Sequence, residues 1–170
     1  MSSKSLAESV ASSVIKLIKN FKDDPNIILF SRRITSELYS YRKGKEYRLY
    51  SELSECFALY YFVYSKVRYV RDPYKKEIIF TPLLLLQQLE KYGKAFGDCD
   101  DQTALLGALL ASLGYAVRCQ LVGIERFSHI YPEVFIPSLS RWFVVDPIAK
   151  DSEVRDFLER IRLKKTFYLE

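Results

Sequence analysis

Apolar residues in this chain recur at helical spacing up to Gly114 and at every second position after it, a change of period that few folds accommodate. Before the change, Leu6, Val10, Val14, Leu17, Ile18 and Phe21 define an amphipathic helix, and Ile27 to Tyr41 reads as a second helical piece. Ser51 to Val70 carries Leu53, Phe57, Tyr60, Tyr61, Tyr64 and Val67 at spacings of three and four, which predicts a long helix with Ser51 as its N-cap. Thr81-Pro82 marks another helix start. From Cys99 or Asp100, the residues Ala104, Leu105, Ala108, Leu109 and Leu113 share one helical face, and Gly114 supplies a left-handed cap. Beyond it, Ala116 to Gly123, His129 to Ile136 and Arg141 to Val145 read as three strands, and Asp151 to Arg162 as a final helix. Helices followed by a small antiparallel sheet make an α+β protein.

With 170 residues the chain suits one domain, and 49% hydrophobic against 28% charged residues excludes both disorder and a membrane protein. The run Pro82 to Leu86 is too short to span a bilayer, and the N-terminal segment lacks the unbroken apolar stretch of a signal peptide. Cysteines at 56, 99 and 119 have no C-x-x-C spacing, so neither a disulfide framework nor a zinc site is expected, and the cytoplasm is the expected compartment. Residues 1–50 hold ten Lys or Arg against five acids, whereas the remaining 120 residues hold sixteen of each. The net charge of +5 therefore predicts a basic helical extension over 1–50 and a neutral core over 51–170 that ends in a helix. The extension offers a contact for an acidic partner.

Three chemically apt residues fall in the second half of the chain. Cys99 sits where Gly97-Asp98 leads into a helix, and a helix N-terminus favours a thiolate and a developing oxyanion. His129, the only histidine, can take the thiol proton, and Asp146, at a strand end, can orient the ring and stabilise the imidazolium. A hairpin register that sets His129 opposite Asp146 and Ile136 opposite Leu139 brings the last two into contact, although Pro137-Ser138 is a poor two-residue turn.

The segments GDCDDQTALLGALLASLGYAVR, SHIYPEVFI and RWFVVDP resemble the transglutaminase-like superfamily of papain-fold thiol enzymes, in particular its short stand-alone members from bacteria, archaea and their viruses. The upstream VRYVRDPYKKEIIFTP resembles the segment preceding their catalytic cysteine, and the likeness covers roughly residues 55–148. The resemblance implies a papain-like core with the nucleophile helix packed on a small antiparallel sheet. It makes Cys99 the nucleophile, His129 the acid/base and Asp146 the orienting group, acting on amide bonds of a protein or peptide through an acyl-enzyme. Two features depart from the pattern. Pro132 interrupts the His129 strand, which must be an edge or bulged there, and Asp98, Asp100 and Asp101 crowd the thiol and raise its pKa unless they turn away or find cations.

Other readings of these residues stand beside this one. A non-catalytic module of the same fold, viral or otherwise, would also keep the motifs. Tyr39, Tyr41, Tyr47 and Tyr50 interleaved with Arg42, Lys43, Lys45 and Arg48 match the composition of single-strand nucleic-acid binders, but a solvated charged loop accounts for them without a partner. The acids at 98, 100 and 101 read as helix-dipole partners, so no metal and no cofactor is expected. Cys56, Cys119 and Trp142 read as core.

Overall fold

A computed structural model describes residues 5–39, 47–149 and 152–169. Helix α1 (Leu6–Phe21) starts at a capping box in which Ser5 and Glu8 exchange hydrogen bonds, and it buries Ala11, Val14 and Ile18. Helix α2 (Pro25–Tyr39) is capped by Asp24, whose Oδ1 accepts from the Asn26 N–H at 2.8 Å, and it buries Ile27 and Phe30. Helix α3 (Tyr47–Lys66) runs straight into strand β1 (Val67–Tyr69), which pairs in parallel with β2 (Ala95–Gly97) across the crossover helix α4 (Pro82–Tyr92). Thr81 caps α4 and Pro82 opens it, as the sequence predicts.

Helix α5 (Cys99–Ser112) is the centre of the molecule. Every residue from Asp100 to Leu110 is buried, because the helix is enclosed by α1, α2, α3, α4 and the sheet instead of resting one face on a neighbour. Gly114 follows it in the left-handed conformation, with φ at 87°. The sheet runs β5-β4-β3-β6, with β3 (Val117–Gly123), β4 (Phe127–Ile136), β5 (Arg141–Val144) and β6 (Leu163–Tyr168) all antiparallel. Helix α6 (Ser152–Glu159) lies between β5 and β6 in the chain.

Several sequence expectations need correction. Ser51 lies inside α3 and does not cap it, and the last residues of the expected helix form β1. The C-terminal helix stops at Glu159, and the chain ends in a fourth strand, β6, not in that helix. Part of the charged loop expected over 42–48 falls outside the described residues, while Tyr47 and Arg48 already belong to α3. The β4–β5 register sets Ile136 opposite Arg141, two residues away from the expected pairing. Its cause is the turn: Pro137–Leu139 is a 3-10 helix and Ser140 takes the left-handed region, so four residues leave the ladder. A slip of two preserves the face of every side chain, which a slip of one would have reversed.

The basic N-terminal helices are also part of the core. Ala11, Val14 and Ile18 pack with Ala104, Cys119, Leu121 and Ile130, and Ile27 and Phe30 join the larger apolar cluster around Leu59, Leu105 and Leu109. At Gly107 the two helices meet so closely that an added Cβ would stand 2.4 Å from Ile18 Cδ1. Cys56 and Cys119 are buried in these clusters, as expected, whereas Trp142 is only partly buried, with the Arg118 guanidinium 4.2 Å above its ring.

Candidate active site

Helix α5 meets the sheet at a free stretch of β4. The Pro132 carbonyl accepts from the Val145 N–H, so even-numbered residues of β4 turn their backbone toward the β5 side, and the odd-numbered Phe135 turns toward β3. Strand β5 ends at Val144, opposite Glu133, which leaves the Ile130 N–H and C=O without a strand partner on that side. Two side chains of α5 lie there: Thr103 Oγ1 donates to the Ile130 carbonyl at 3.1 Å, and the Cys99 sulfur is near the Ile130 N–H, which favours its thiolate. Pro132, which has no N–H to offer, lies where the β5 ladder ends, so the expected irregularity at this proline is an edge.

Cys99 thereby lies against the residue that follows His129. The His129 Nε2 and Asp146 Oδ2 atoms are 2.8 Å apart, both side chains are buried, and Asp146 Oδ1 accepts from the Ile148 N–H at 3.1 Å. The His129 ring also stands edge-on to Phe157 of α6 at 6.1 Å and lies 5.7 Å from Tyr131. With Nε2 held by Asp146, Nδ1 is the ring nitrogen left to serve the thiol. Cys99 itself stays partly open.

The turn into α5 depends on Asp98, Asp101 and Gly97. Asp98 Oδ1 accepts from the Asp100 N–H, and Asp101 Oδ2 accepts from the Asp98 N–H, a reciprocal cap. Asp101 Oδ1 also accepts from the Phe80 N–H at 2.7 Å, which ties the loop before α4 to the nucleophile turn. An added Cβ at Gly97 would lie 2.7 Å from Asp101 Cβ, so only glycine lets this carboxylate fold back. The helix-dipole reading of Asp101 missed this clamp, although the Asp98-x-x-Asp101 spacing of a capping box is visible in the sequence.

Burial pushes the Cys99 thiol up, and the Asp98 and Asp100 carboxylates push it further, against the Ile130 N–H, which favours the thiolate. The crowding expected from the sequence is therefore present. Burial likewise pushes Asp101 up to about 7, against the Phe80 N–H. Tyr69, not singled out in the sequence, stands beside the site: burial raises its phenol, and the neighbouring Cys99 and Asp98 raise it further.

Among the described residues, Asp98, Asp100 and Asp101 are the one group with the donors for a metal ion, each with an oxygen within 4.8 Å of the others. Both Asp101 oxygens already take backbone N–H groups, and neither Asp100 oxygen receives a donor. Asp100 is held well above the carboxylate range, first by burial and then by Asp98, which suits a protonated Asp100 that donates to Asp98. Between an ordinary value of 3.8 and this raised one, the folded chain keeps a proton that the unfolded chain has released. Stability therefore falls as pH rises through that window, by up to about 1.4 kcal/mol per unit. Asp100→Asn removes that slope. The variant is expected to lose less stability than the wild type between about pH 5 and pH 8 in thermal melts, and parallel losses would contradict it.

No family model matches the chain, and no curated protein matches it. Among the described residues no helix is long and apolar enough to cross a membrane. Its fold does match the crystal structure of a candidate cysteine protease from Cytophaga hutchinsonii, with a TM-score of 0.57 at 14% identity. The match covers 91% of this chain but 46% of that protein, so the chain spans about half the length of the protein whose fold it shares.

Proposed function

We propose that the chain is a thiol enzyme of transglutaminase-like type that acts on amide bonds, with Cys99 as nucleophile, His129 as acid/base and Asp146 as the orienting group. The observation that carries this reading is the buried 2.8 Å contact between His129 Nε2 and Asp146 Oδ2, on the strand segment against which the Cys99 turn is docked. In the first half-reaction the Cys99 proton passes to His129 Nδ1 as the sulfur bonds to the amide carbon. The first-turn N–H groups of α5 favour the charge that builds on the carbonyl oxygen. The C–N bond then breaks, His129 gives its proton to the leaving amine, and a thioester remains on Cys99. Water, activated by His129, returns the free thiol and a carboxylic acid; an amine in its place would give a new amide. Water is always available, which favours hydrolysis.

A raised thiol pKa argues against a thiolate that forms on its own. Proton transfer from Cys99 to His129, however, creates an ion pair with no change in net charge, and Asp146 stabilises the imidazolium. The carboxylates around Cys99 favour a second reading, a binding module that keeps the fold without turnover.

Casein incubated with the chain and a fluorescent primary amine separates the outcomes. New N-termini in casein, absent with Cys99→Ala, are expected. Amine incorporation without new N-termini would mean transfer. Neither product, and no ammonia released from casein side-chain amides, at any enzyme concentration would leave the binding module.

A further inference from the structure

The neutral charge balance of residues 51–170 conceals a strong local asymmetry. Residues 66–76 and 91–96 hold seven Lys or Arg against one acid, Asp72, with Glu77 and Glu90 at their borders, which leaves nine bases against fifteen acids in the rest of that span. The β1–β2 pairing places Arg68 beside Phe96 and Tyr69 beside Gly97, so the two basic segments meet at this pair of strands. The loop between β1 and α4 is pinned at both ends to the nucleophile turn. The Val70 N–H donates to the Gly97 carbonyl at 3.2 Å and the Phe80 N–H to Asp101. Gly97 and Asp101 flank Cys99 in the chain, so the loop that carries Arg71, Lys75, Lys76 and Glu77 borders the nucleophile turn. The acid between its bases is engaged, because Asp72 Oδ2 accepts from the Ile78 N–H at 2.6 Å.

Arg68, Arg71, Lys75, Lys76, Lys91 and Lys94 are all exposed, and none is ion-paired with a carboxylate among the described residues. Three of the lysines lie along exposed rings instead: Lys75 is 5.2 Å from the Tyr74 centroid, Lys91 is 5.0 Å from Tyr92 and Lys94 is 5.8 Å from Phe96. Unneutralised cations held beside aromatic faces attract an anionic chain and offer its apolar side chains a flat contact.

We propose that this surface binds an acidic polypeptide segment next to the bond that Cys99 attacks, which makes acidic proteins the substrate class. The inference rests on the amide-bond reading above, and that reading selects polypeptide over nucleic acid, whose backbone has no amide to offer. It also moves the acidic partner from the N-terminal helices to the rim of the site.

The test uses the full chain carrying Cys99→Ala, so that binding is read without turnover. A fluorescein-labelled random Glu/Tyr copolymer is titrated by fluorescence anisotropy, in parallel with labelled poly-dT. Lys75→Glu, Lys76→Glu and Lys94→Glu together are expected to weaken copolymer binding at least fivefold, whereas Lys16→Glu with Lys19→Glu on α1 leaves it within twofold. Circular dichroism and thermal melts check that both variants are folded. Binding by the parent is expected to weaken as salt rises. A loss smaller than fivefold in the triple variant, or an equal loss in the α1 control, overturns the proposal. Poly-dT bound more tightly than the copolymer and released by the same triple variant overturns it in favour of nucleic acid. If binding fails while Cys99 keeps a His129-dependent reactivity, this inference falls and the amide-bond reading stands.

Discussion

His129→Ala is expected to lower casein cleavage by about a thousandfold, within the range for loss of a positioned general acid/base. The size follows from the work given to one ring, which takes the Cys99 proton, protonates the leaving amine and activates water. Loss of Asp146 as well should add little, because the Asp146 carboxylate acts through His129 at 2.8 Å and has no second route to the reacting atoms. The kinetics of the single and double variants check this. Independent, multiplying losses would mean that Asp146 has a role apart from the ring.

Ile18→Asp is expected to unfold the chain. Ile18 has no exposed surface, and its Cδ1 fills the space above Gly107 on the central helix. Removing a buried isoleucine costs about 2–5 kcal/mol, and an unpaired buried carboxylate adds several more, against a whole-domain stability of about 5–15 kcal/mol. Ile18→Val provides the graded control, with a cost of about 1 kcal/mol and a fall in Tm of about 3 °C. A chain that keeps its wild-type Tm with aspartate at position 18 would show that α1 is an appendage after all.

Much of the fold was legible because its signals are local. The period-two segments around Leu121, Val134 and Phe143 mark three strands, and Thr81-Pro82 and Gly114 mark helix ends through backbone chemistry that does not depend on context. Strands β1 and β2 were not legible, since three residues are too few to carry a period. Strand β6 lies beyond Arg162, where the expected helix ends, and Lys164 and Lys165 side by side interrupt any apolar alternation there; such lysines suit an edge strand, which must discourage further pairing. The packing of α1 was hidden by its charge. Net charge counts solvent-facing lysines such as Lys16 and Lys19 and says nothing of the face that carries Val14 and Ile18.

The candidate site was legible to a different depth at each residue. The contact between His129 and Asp146 was expected from a register that proved two residues out, and it survived because an even slip keeps both side chains on one face. The Thr103 and Asp101 hydrogen bonds that fix Cys99 depend on where β5 stops and on the loop at Phe80, and both are tertiary features. The basic rim was invisible for a similar reason. Its two halves are fifteen residues apart in sequence, and only the parallel β1–β2 pairing joins them.

The pH dependence of cysteine alkylation by iodoacetamide, followed by mass spectrometry, tests the central claim most directly. Burial holds all three thiols above their ordinary range, and the Asp98 carboxylate adds to this at Cys99, so a thiol without a proton acceptor should react slowly at any of these positions near neutral pH. If His129 accepts the Cys99 proton, Cys99 alone is labelled rapidly in mildly acidic to neutral solution, and His129→Ala moves its labelling to strongly alkaline pH. Equal, slow labelling of Cys56, Cys99 and Cys119, or a Cys99 profile unchanged by His129→Ala, would contradict the account.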